Sequence, residues 1–306
     1  WGSTGKGKLA GYLALRNDIA AVSCDFMPNA GHTFLSKEHG KVVTSALPTA
    51  LVNRDAMLLL NAGAAIDLDK LQSEMDRFAD YRVAERLMIH PHAVVITQED
   101  KDEEARVLGR ISSTLKGCGG ATSRKIMRVA TVAKDVPELA RFIGDTSMTM
   151  QTLLRAGATV LIEGAQGFDL SLNHGNAYPY VTSRDVTTMS ILNNAGVPPH
   201  YLGEVYGCIR TRPIRVGNTY NEAGEMTGWS GPFYDDHEEL TWDMVREMSG
   251  SPVDVAERTT VTQKIRRVFG FSHKQIERFV SFCAPTKIFV NFINHIRANK
   301  PLNQAV

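Results

Sequence analysis

The sequence predicts an α/β fold with a mostly parallel central sheet, flanking helices and long active-site loops. Short apolar runs alternate with amphipathic stretches along the 306 residues, as a parallel sheet requires, because its strands are usually connected by helices. A loop rich in glycine and lysine precedes a run compatible with a helix, which is typical of an anion site at a helix N-terminus. Long polar segments separate the elements, and such loops are usually functional or disordered.

Five apolar runs predict buried strands, because a strand covered on both faces is apolar at nearly every position. They lie at residues 19–24, 57–60, 93–97, 159–162 and 287–292. Two sets of apolar residues with helical spacing predict amphipathic helices: Leu71, Met75, Phe78 and Ala79, and then Leu139, Phe142 and Ile143. The segments at 112–123, 163–187, 216–237 and 257–268 are predicted to be loops.

The charge balance argues against nucleic acid or a membrane surface as a partner. Lys and Arg total 34 against 33 for Asp and Glu, which leaves a formal net charge of +1, whereas phosphate-rich partners select basic surfaces. No apolar run reaches the roughly 18 residues that a membrane-spanning helix needs. The cysteines at 24, 118, 208 and 283 form no Cys-x-x-Cys pair, which argues against structural zinc and disulfides and fits a reducing cytoplasm.

Nothing in the sequence divides the chain, so we expect one domain over residues 1–306. No internal repeat, low-complexity stretch or linker rich in Pro and Gly is present. The chain starts on Trp1, inside the glycine-rich loop, although a phosphate loop normally follows a strand. We therefore expect the native chain to be longer at its N-terminus, where that strand would lie.

The loop at residues 1–8 reads Trp-Gly-Ser-Thr-Gly-Lys-Gly-Lys and predicts a phosphate cradle. Its glycines allow the backbone to approach an anion closely, and its two lysines supply positive charge. The spacing from Gly2 to Lys8 fits a Walker loop, but Leu9 occupies the position of the hydroxyl that binds magnesium. An ordinary turn rich in glycine and lysine is the alternative.

Four further segments carry groups that could do chemistry. In Asn29-Ala-Gly-His-Thr33, His32 can exchange a proton near neutral pH, unless it is merely solvated. Residues 112–120 offer hydroxyls, glycines and a lysine to an anion, or form a flexible loop. The segment Glu163-Gly-Ala-Gln-Gly167 follows a predicted strand, where ligand crevices open in parallel sheets. Residues 259–268 place arginines beside threonines, which suits a carboxylate but also a solvated basic face.

Together these segments resemble one family, the adenylosuccinate synthetases. Four motifs occur in the order of that family: Trp-Gly-x-x-Gly-Lys-Gly-Lys at 1–8, Asn-Ala-Gly-His-Thr at 29–33, Glu-Gly-Ala-Gln-Gly at 163–167 and Tyr-Pro-Tyr-Val-Thr-Ser at 178–183. The segment 259–268 is similar to the aspartate-binding loop of the family. The resemblance implies the synthetase fold with a P-loop-type phosphate site, and a last segment that is not visible before Val306.

The resemblance also implies a ligase reaction. Members of the family phosphorylate the 6-oxygen of a purine nucleotide with a nucleoside triphosphate, and the amine of L-aspartate then displaces the phosphate. His32 would stabilise the charge that develops on the 6-oxygen and on the transferring phosphoryl group. Mg²⁺ would bridge the triphosphate. A cytoplasmic homodimer is implied in the same way, in the host cytoplasm if a phage encodes the protein.

Matching positions assign expected ligands to individual residues. Catalytic roles fall to Ser3 and His32, and metal contacts to Ser3 and Gly31. The expected triphosphate site comprises Ser3, Thr4, Gly5, Lys6, Gly7, Gly31, His32, Thr33, Gln166 and Asn291. The expected purine-nucleotide site comprises Ser3, Asn29, Ser113, Thr114, Arg128 from the second subunit, Gln166 and Thr182. Aspartate is expected at Thr259, Thr260, Val261 and Arg266, although an apparent insertion leaves the choice of arginine open.

Ser3 is the chief departure from the family pattern. The usual loop reads Gly-Asp-Glu-Gly-Lys-Gly-Lys, and its aspartate removes the proton from ring nitrogen 1 of the purine and contacts magnesium. A serine is a weak base by comparison, but it is smaller and uncharged and so leaves room for a 2-amino group. Gly-Ser-Thr-Gly is similar to the bacteriophage branch of the family, whose members act on deoxyguanylate to make the precursor of 2-aminoadenine.

Three functions follow from this departure. The first is a ligase that joins L-aspartate to dGMP through a 6-phosphoryl intermediate and yields 2-amino-2'-deoxy-N6-succinyladenylate. The second is an ordinary adenylosuccinate synthetase that acts on IMP with GTP or ATP. The third is an inactive homologue that binds nucleotides without catalysis.

Residues 286–289 bear on the phosphate donor. Typical synthetases read guanine through Thr-Lys-Leu-Asp, whose aspartate accepts hydrogen bonds from the guanine edge. The corresponding run here is Thr-Lys-Ile-Phe, and Phe289 cannot accept those bonds, so selectivity for guanine is lost. The expected donor is ATP or dATP. The same run also suits a core strand, and a core strand can at the same time line the site of the donor base.

Overall fold

A computed structural model describes residues 1–16, 18–259 and 263–296 of the chain. The α-helices in these residues are α1 Lys6–Arg16, α2 Leu68–Arg77, α3 Val83–Arg86, α4 Gln98–Leu108, α5 Cys118–Ile126, α6 Thr146–Arg155, α7 Thr188–Ala195, α8 Trp242–Ser249 and α9 His273–Cys283. The strands are β1 Ile19–Cys24, β2 His32–Ser36, β3 Gly40–Thr44, β4 Met57–Leu60, β5 Ala65–Ile66, β6 Leu87–Ile89, β7 Val94–Val95, β8 Thr159–Glu163, β9 Tyr206–Arg210, β10 Ile214–Arg215, β11 Thr219–Tyr220, β12 Met226–Gly228, β13 Glu239–Leu240, β14 Arg267–Phe269 and β15 Lys287–Asn291. None of the helices in this part of the chain is long and apolar enough to cross a bilayer.

The centre of the fold is a parallel four-stranded sheet in the order β6-β4-β1-β8. In β1, Val22 pairs with Leu58 on one side and with Leu161 on the other. A separate parallel pair joins β15 to β9, and β10, β14 and β13 form a small antiparallel sheet. The predicted α/β class with a mostly parallel central sheet is therefore confirmed.

Helices cover both faces of this sheet because its strands are apolar at successive positions. Val22 packs into a core that includes Ala14 of α1. Its neighbour Ala21 packs on the opposite face, with Met150 of α6 and Leu192 of α7. Successive side chains of a strand point to opposite faces, so β1 joins both cores and places its C-terminal end between them.

The predicted strands differ in where they pair. The runs at 19–24, 57–60 and 159–162 lie in the central sheet. The run at 93–97 forms only the two-residue strand β7, which pairs with β5, and the run at 287–292 forms β15, which pairs with β9. An apolar run reports burial, but backbone pairing depends on which neighbour lies beside it.

Three predictions were wrong about the type of element. The loop expected at 216–237 contains the short strands β11 and β12. The helix expected around Leu139 and Phe142 is a 3₁₀ helix, Pro137–Phe142, in which both side chains are buried. The loop expected at 112–123 becomes helical at Cys118, after Gly117 turns the chain with a left-handed φ of 78°. Spacing of apolar residues alone does not separate a short 3₁₀ turn from an α-helix.

A cavity of about 700 Å³ separates β8 from β9. Every residue of both strands lines it, together with Trp1 and Lys6 at one end. Most of its lining is apolar, and its polar lining includes Lys6 and Glu163, which belong to the site described below.

Candidate active site

The first loop is held around the N-terminus of α1 by its backbone conformation. Ser3 and Gly5 have left-handed φ angles of 53° and 87°, and α1 begins at Lys6. Asn291 of β15 donates from Nδ2 to the Thr4 carbonyl over 3.2 Å. A Cβ on Gly5 would lie 1.8 Å from that nitrogen, so only glycine fits there. The amides at the start of α1, which lack partners in the helix, can receive an anion.

Lys6 and Gln166 join this loop to the segments 163–167 and 29–33. Lys6 Nζ donates to the Gln166 carbonyl, and Gln166 Nε2 donates to Asn29 Oδ1 over 3.0 Å. Burial lowers the pKa of Lys6, while nearby Cys208 and Glu163 oppose that shift. Three of the motifs identified in the sequence therefore meet at the C-terminal edge of the central sheet.

Gly7 and Thr33 also meet at this loop. A Cβ on Gly7 would lie 3.1 Å from the Thr33 amide nitrogen and 3.0 Å from the Thr49 side chain. The Thr49 hydroxyl donates to the Gly7 carbonyl over 2.9 Å. Gly31 directly precedes β2, which starts at His32 and carries Thr33. The predicted triphosphate residues thus come from α1, β2, β15 and the loop after β8.

His32 is buried at the start of β2 and is held on one face by an aromatic ring. The imidazole stacks on Phe26 with ring centroids 3.7 Å apart and planes inclined by 5°. Burial, with contributions from Lys6 and Arg184, lowers the pKa of His32 to about 3. The imidazole is therefore neutral at physiological pH in this state, instead of exchanging a proton near pH 7 as the ordinary value would suggest. Within the described residues, its Nε2 has no hydrogen-bond partner.

Glu163, the last residue of β8, was not predicted as a site residue, although the motif at 163–167 contained it. Its Oε2 accepts from the Thr49 amide over 3.1 Å, and its Oε1 lies 3.8 Å from His32 Nδ1. Burial raises the pKa of Glu163 to about 7, against the hydrogen bonds from Thr49 and the charge of Lys6. A carboxyl that titrates near neutral pH therefore lies beside the predicted catalytic histidine.

Arg210, at the end of β9, was also missed, because no sequence motif surrounds it. Its Nη1 donates to the Ser3 carbonyl over 2.9 Å, and its Nη2 forms an ion pair with Glu257. The guanidinium carbon lies 3.7 Å from the centre of the Phe292 ring. Arg210 therefore ties the first loop to the segment that leads into residues 259–268.

The basic segment 259–268 is described only in part, since Thr260 and Val261 lie outside the described residues. The buried Thr259 accepts at Oγ1 from the Lys264 amide over 3.0 Å. Arg267 Nη2 forms an ion pair with Glu239 Oε2 at 2.5 Å, and its Nη1 donates to the Gly231 carbonyl over 2.6 Å. Arg266 Nε donates to the Arg258 carbonyl over a longer distance of 3.4 Å, so Arg266 is the arginine better placed to receive a new carboxylate.

The remaining predicted purine residues lie in three separate segments. Ser113 Oγ accepts from the Leu115 amide over 3.4 Å, and Thr114 follows it in the turn before α5. The Thr182 amide donates to the Leu170 carbonyl over 2.7 Å. Arg128 is exposed, with a left-handed φ of 65°, just after α5. No contact of the described residues joins these side chains directly to Lys6 or His32.

A buried ion pair lies just past the end of β1. Asp25 Oδ2 is 2.6 Å from Arg184 Nη1 and accepts from Asn194 Nδ2 over 2.8 Å. Asp25 Oδ1 and the Arg184 nitrogens have no hydrogen-bond partner within the described residues. Arg184 belongs to the loop after 178–183, so this pair fixes that loop against the central sheet.

Protein oxygens suited to Mg²⁺ are few at this site. Mg²⁺ prefers six oxygen ligands and is commonly bound through one or two protein groups together with substrate phosphates and waters. No three His, Cys, Asp or Glu side chains in residues 1–16, 18–259 and 263–296 could hold a metal ion together. The Ser3 hydroxyl and the Gly31 carbonyl are oxygen donors at the loop, so they fit an ion held mainly by the triphosphate.

The comparisons with known proteins agree on one family. The sequence pattern of adenylosuccinate synthetase matches residues 1–142 and 129–268. The chain is 36% identical to N6-succino-2-amino-2'-deoxyadenylate synthase of Acinetobacter phage SH-Ab 15497, over 99% of this chain and 84% of that protein. It is 38% identical to the protein of the same name from Vibrio phage phiVC8, over 97% of this chain and 84% of that protein.

Two solved structures have the same fold. Cyanophage S-2L succinoaminodeoxyadenylate synthetase (PurZ), bound to dGMP and to dATP as an energy donor, matches with a TM-score of 0.84 and 34% identity, over 99% of this chain and 85% of that one. The fully ligated adenylosuccinate synthetase of Plasmodium falciparum matches with a TM-score of 0.79 and 22% identity, over 98% of this chain and 76% of that one. The chain therefore belongs to the adenylosuccinate synthetase family.

Proposed function

We propose that the chain joins L-aspartate to carbon 6 of dGMP, driven by ATP or dATP, and forms 2-amino-2'-deoxy-N6-succinyladenylate. The observation that carries this proposal is Ser3, which stands at the left-handed turn of the first loop in place of the family's aspartate. Relatives named for this product share 36% and 38% of their residues with the chain. The related PurZ structure holds dGMP and dATP.

The proposed reaction has two steps. The 6-oxygen of dGMP attacks the γ-phosphorus, the nucleoside diphosphate leaves, and the proton on ring nitrogen 1 passes to solvent. The amine of aspartate then attacks carbon 6, a proton of that amine passes to solvent, and phosphate leaves with the original 6-oxygen. His32 Nε2 is the proposed donor to the oxygen on which negative charge develops, because a neutral imidazole aimed from a dry site stabilises that charge.

The proposed triphosphate site is the first loop with the start of α1. Thr4, Gly5, Lys6 and Gly7 supply amides and one ammonium, and Asn291 holds the loop in shape through the Thr4 carbonyl. Bound Mg²⁺ would neutralise the phosphates and polarise the γ-phosphoryl group. Ser3 and Gly31 are the protein oxygens proposed to hold it.

The proposed purine site comprises Ser3, Asn29, Gln166 and Thr182, and Ser113 and Thr114 are proposed to hold the nucleotide phosphate. Gln166 holds Asn29 by a 3.0 Å hydrogen bond, which orients both amides before a ligand binds. A serine hydroxyl next to ring nitrogen 1 leaves space for the 2-amino group, whereas a carboxylate would occupy it. This difference is the basis of the proposed preference for dGMP over IMP.

The proposed aspartate site is the segment from Thr259 through Thr260 and Val261 to Arg266. A guanidinium binds a carboxylate through two parallel hydrogen bonds, and Arg267 is already engaged with Glu239. Burial lowers the pKa of Arg266 to about 10, so its side chain stays cationic at neutral pH. A carboxylate partner would stabilise this charge.

The proposed donor is ATP or dATP because of the chemistry of Phe289. This half-buried residue pairs with Cys208 in the β15–β9 ladder, so residues 287–289 belong to a strand and are also a candidate wall for the donor base. A phenyl ring accepts no hydrogen bond from a guanine edge, and GTP therefore has no advantage at this position.

A homodimer in which Arg128 reaches the nucleotide phosphate of the other subunit is proposed from the exposed end of α5. Ile126, Met127 and Val129 around it are 74%, 70% and 69% exposed. Exposed apolar side chains next to a functional arginine are typical of an interface between subunits.

Steady-state phosphate release tests the proposed function. dGMP and IMP are each assayed with aspartate and Mg²⁺, and with ATP, dATP or GTP as donor. We expect kcat/KM for dGMP with ATP or dATP to exceed that for IMP by about tenfold or more. Good turnover of IMP with GTP but not of dGMP would make the chain an ordinary adenylosuccinate synthetase. Binding of nucleotides without any phosphate release would make it a non-catalytic homologue.

A further inference from the structure

Glu163 and His32 meet with both side chains almost fully buried. Glu163 Oε1 lies 3.8 Å from His32 Nδ1, and the two side chains are 2% and 6% exposed. That distance exceeds a hydrogen bond by less than 1 Å, so a small shift on ligand binding forms one. Nothing in the proposed reaction yet uses this carboxyl.

The two nitrogens of His32 have different surroundings. Nδ1 faces Glu163, whereas Nε2 has no partner among the described residues. The stacked ring of Phe26, 3.7 Å away and inclined by only 5°, holds the imidazole in one plane. A neutral imidazole carries a single N–H, and the group that faces one nitrogen decides which nitrogen carries it.

Glu163 is itself fixed by Thr49. The Thr49 amide donates to Oε2 over 3.1 Å, and the Thr49 hydroxyl lies 3.1 Å from Oε1. The same hydroxyl donates to the Gly7 carbonyl over 2.9 Å. Glu163 therefore connects the first loop to the catalytic histidine and leaves Oε1 as the oxygen nearest Nδ1.

We propose that Glu163 is a positioning residue: in its protonated form it faces Nδ1 of His32 and keeps the imidazole proton on Nε2. The role of that N–H in catalysis rests on the proposed function, in which a donor at Nε2 stabilises the developing oxyanion. The tautomer itself does not depend on which purine is the substrate.

The charges around Glu163 support a protonated carboxyl. Burial raises its pKa, and the titratable groups around it are Lys6 on α1, Cys24 on β1, His32 on β2 and Cys208 on β9. A bound triphosphate beside Lys6 would add negative charge, which disfavours ionisation of Glu163 further.

The tautomer of His32 is measured directly by long-range proton–nitrogen correlation NMR on the full chain, with His32→Gln to assign its signals. We expect the wild type to carry the proton on Nε2. Glu163→Gln keeps a donor toward Nδ1, so it retains this tautomer and turns over within about threefold of the wild type. Glu163→Ala mixes the tautomers and lowers kcat about 10-fold to 100-fold, with KM values changed less than about threefold.

Glu74 provides the matched control. It is also buried, and its carboxylate accepts from the amides of Ser45, Ala46 and Leu47, but it does not face His32. Glu74→Ala should lower stability and leave the His32 tautomer unchanged. An Nδ1–H tautomer in the wild type, an unchanged tautomer in Glu163→Ala, or an equal change in Glu74→Ala would each overturn the proposal. The NMR result stands even if dGMP is not the substrate.

Discussion

Ser3 is the residue that we propose selects the purine. Its φ of 53° lies in the left-handed region, which Asp tolerates better than most side chains, so Ser3→Asp tests the chemistry of the site more than the backbone. We expect kcat/KM for dGMP to fall about tenfold or more, because the carboxylate occupies the space of the 2-amino group. Steady-state assays with dGMP and with IMP measure kcat/KM for each purine.

Ser3→Ala is the control for that substitution. It removes the hydroxyl without adding volume or charge, so the preference for dGMP over IMP should persist even if kcat decreases. Unchanged dGMP kinetics in Ser3→Asp would show that position 3 does not select the purine.

The buried pair His32 and Glu163 should also govern how the free energy of unfolding depends on pH. The pKa of Glu163 rises from 4.5 to about 7 on folding, so its contribution is complete below pH 4.5 and is lost as pH rises through 7. The pKa of His32 falls from 6.5 to about 3, so its contribution is complete above pH 6.5 and is lost as pH falls through 3. The two effects oppose each other between pH 4.5 and 6.5.

Glu163→Gln isolates one of these effects. Relative to the wild type, its free energy of unfolding should rise by about 3 kcal/mol between pH 4.5 and pH 8, as measured by urea denaturation. His32→Gln should show the opposite trend, with a gain relative to the wild type as pH falls below 6.5. Parallel curves for wild type and Glu163→Gln would contradict the burial of a titrating carboxyl.

At the scale of elements, the turn into α1 depends on Gly5. Gly5→Ala would place a Cβ 1.8 Å from Asn291 Nδ2 at a φ of 87°, so the loop must move. We expect the KM for ATP to rise about tenfold or more, because the amides that hold the phosphates are displaced. Gly157→Ala is matched in backbone strain, with a φ of 81° and nothing within 4 Å of its Cβ. That variant should lose about 1 kcal/mol of stability and keep its KM.

Elements were predictable from the sequence where one physical signal sufficed. The runs at 19–24, 57–60 and 159–162 are apolar at nearly every position, and burial on both faces leaves a parallel strand as the simplest outcome. The run at 93–97 is equally apolar but forms only Val94–Val95. Its neighbours, and thus its hydrogen-bond partners, are set by the tertiary fold.

The site also has parts that local sequence predicts and parts that depend on the tertiary fold. The motifs predicted Lys6 and Gln166 at the triphosphate and Asn29 and Gln166 at the purine. In the structure, Lys6 Nζ donates to the Gln166 carbonyl and the Gln166 side chain donates to Asn29. Sequence alone did not predict Glu163 beside His32 or Arg210 beside Ser3, because each pair meets only through the packing of distant strands. A carboxyl at the end of an apolar strand was the one local signal for Glu163.

At the scale of the whole molecule, the proposed homodimer makes Arg128 part of the other subunit's site. Arg128→Ala should raise the KM for dGMP about tenfold, since one charged phosphate contact is lost. Arg155→Ala, another exposed arginine at the end of a helix, should have little effect. If Arg128 acts across the interface, mixing Arg128→Ala with His32→Ala should restore part of the activity. No restoration would place Arg128 outside the partner's site.

In the proposed reaction, the chain activates the 6-oxygen of dGMP as a phosphate ester before aspartate attacks. The most direct test uses dGMP with a heavy isotope of oxygen at the 6-position, together with ATP and aspartate. Mass spectrometry then locates the heavy atom after turnover. We expect all of it to leave in inorganic phosphate and the nucleotide product to carry a succinylamino group. Heavy oxygen that remains in the nucleotide, or ATP cleavage without that product, would rule out activation of the 6-oxygen.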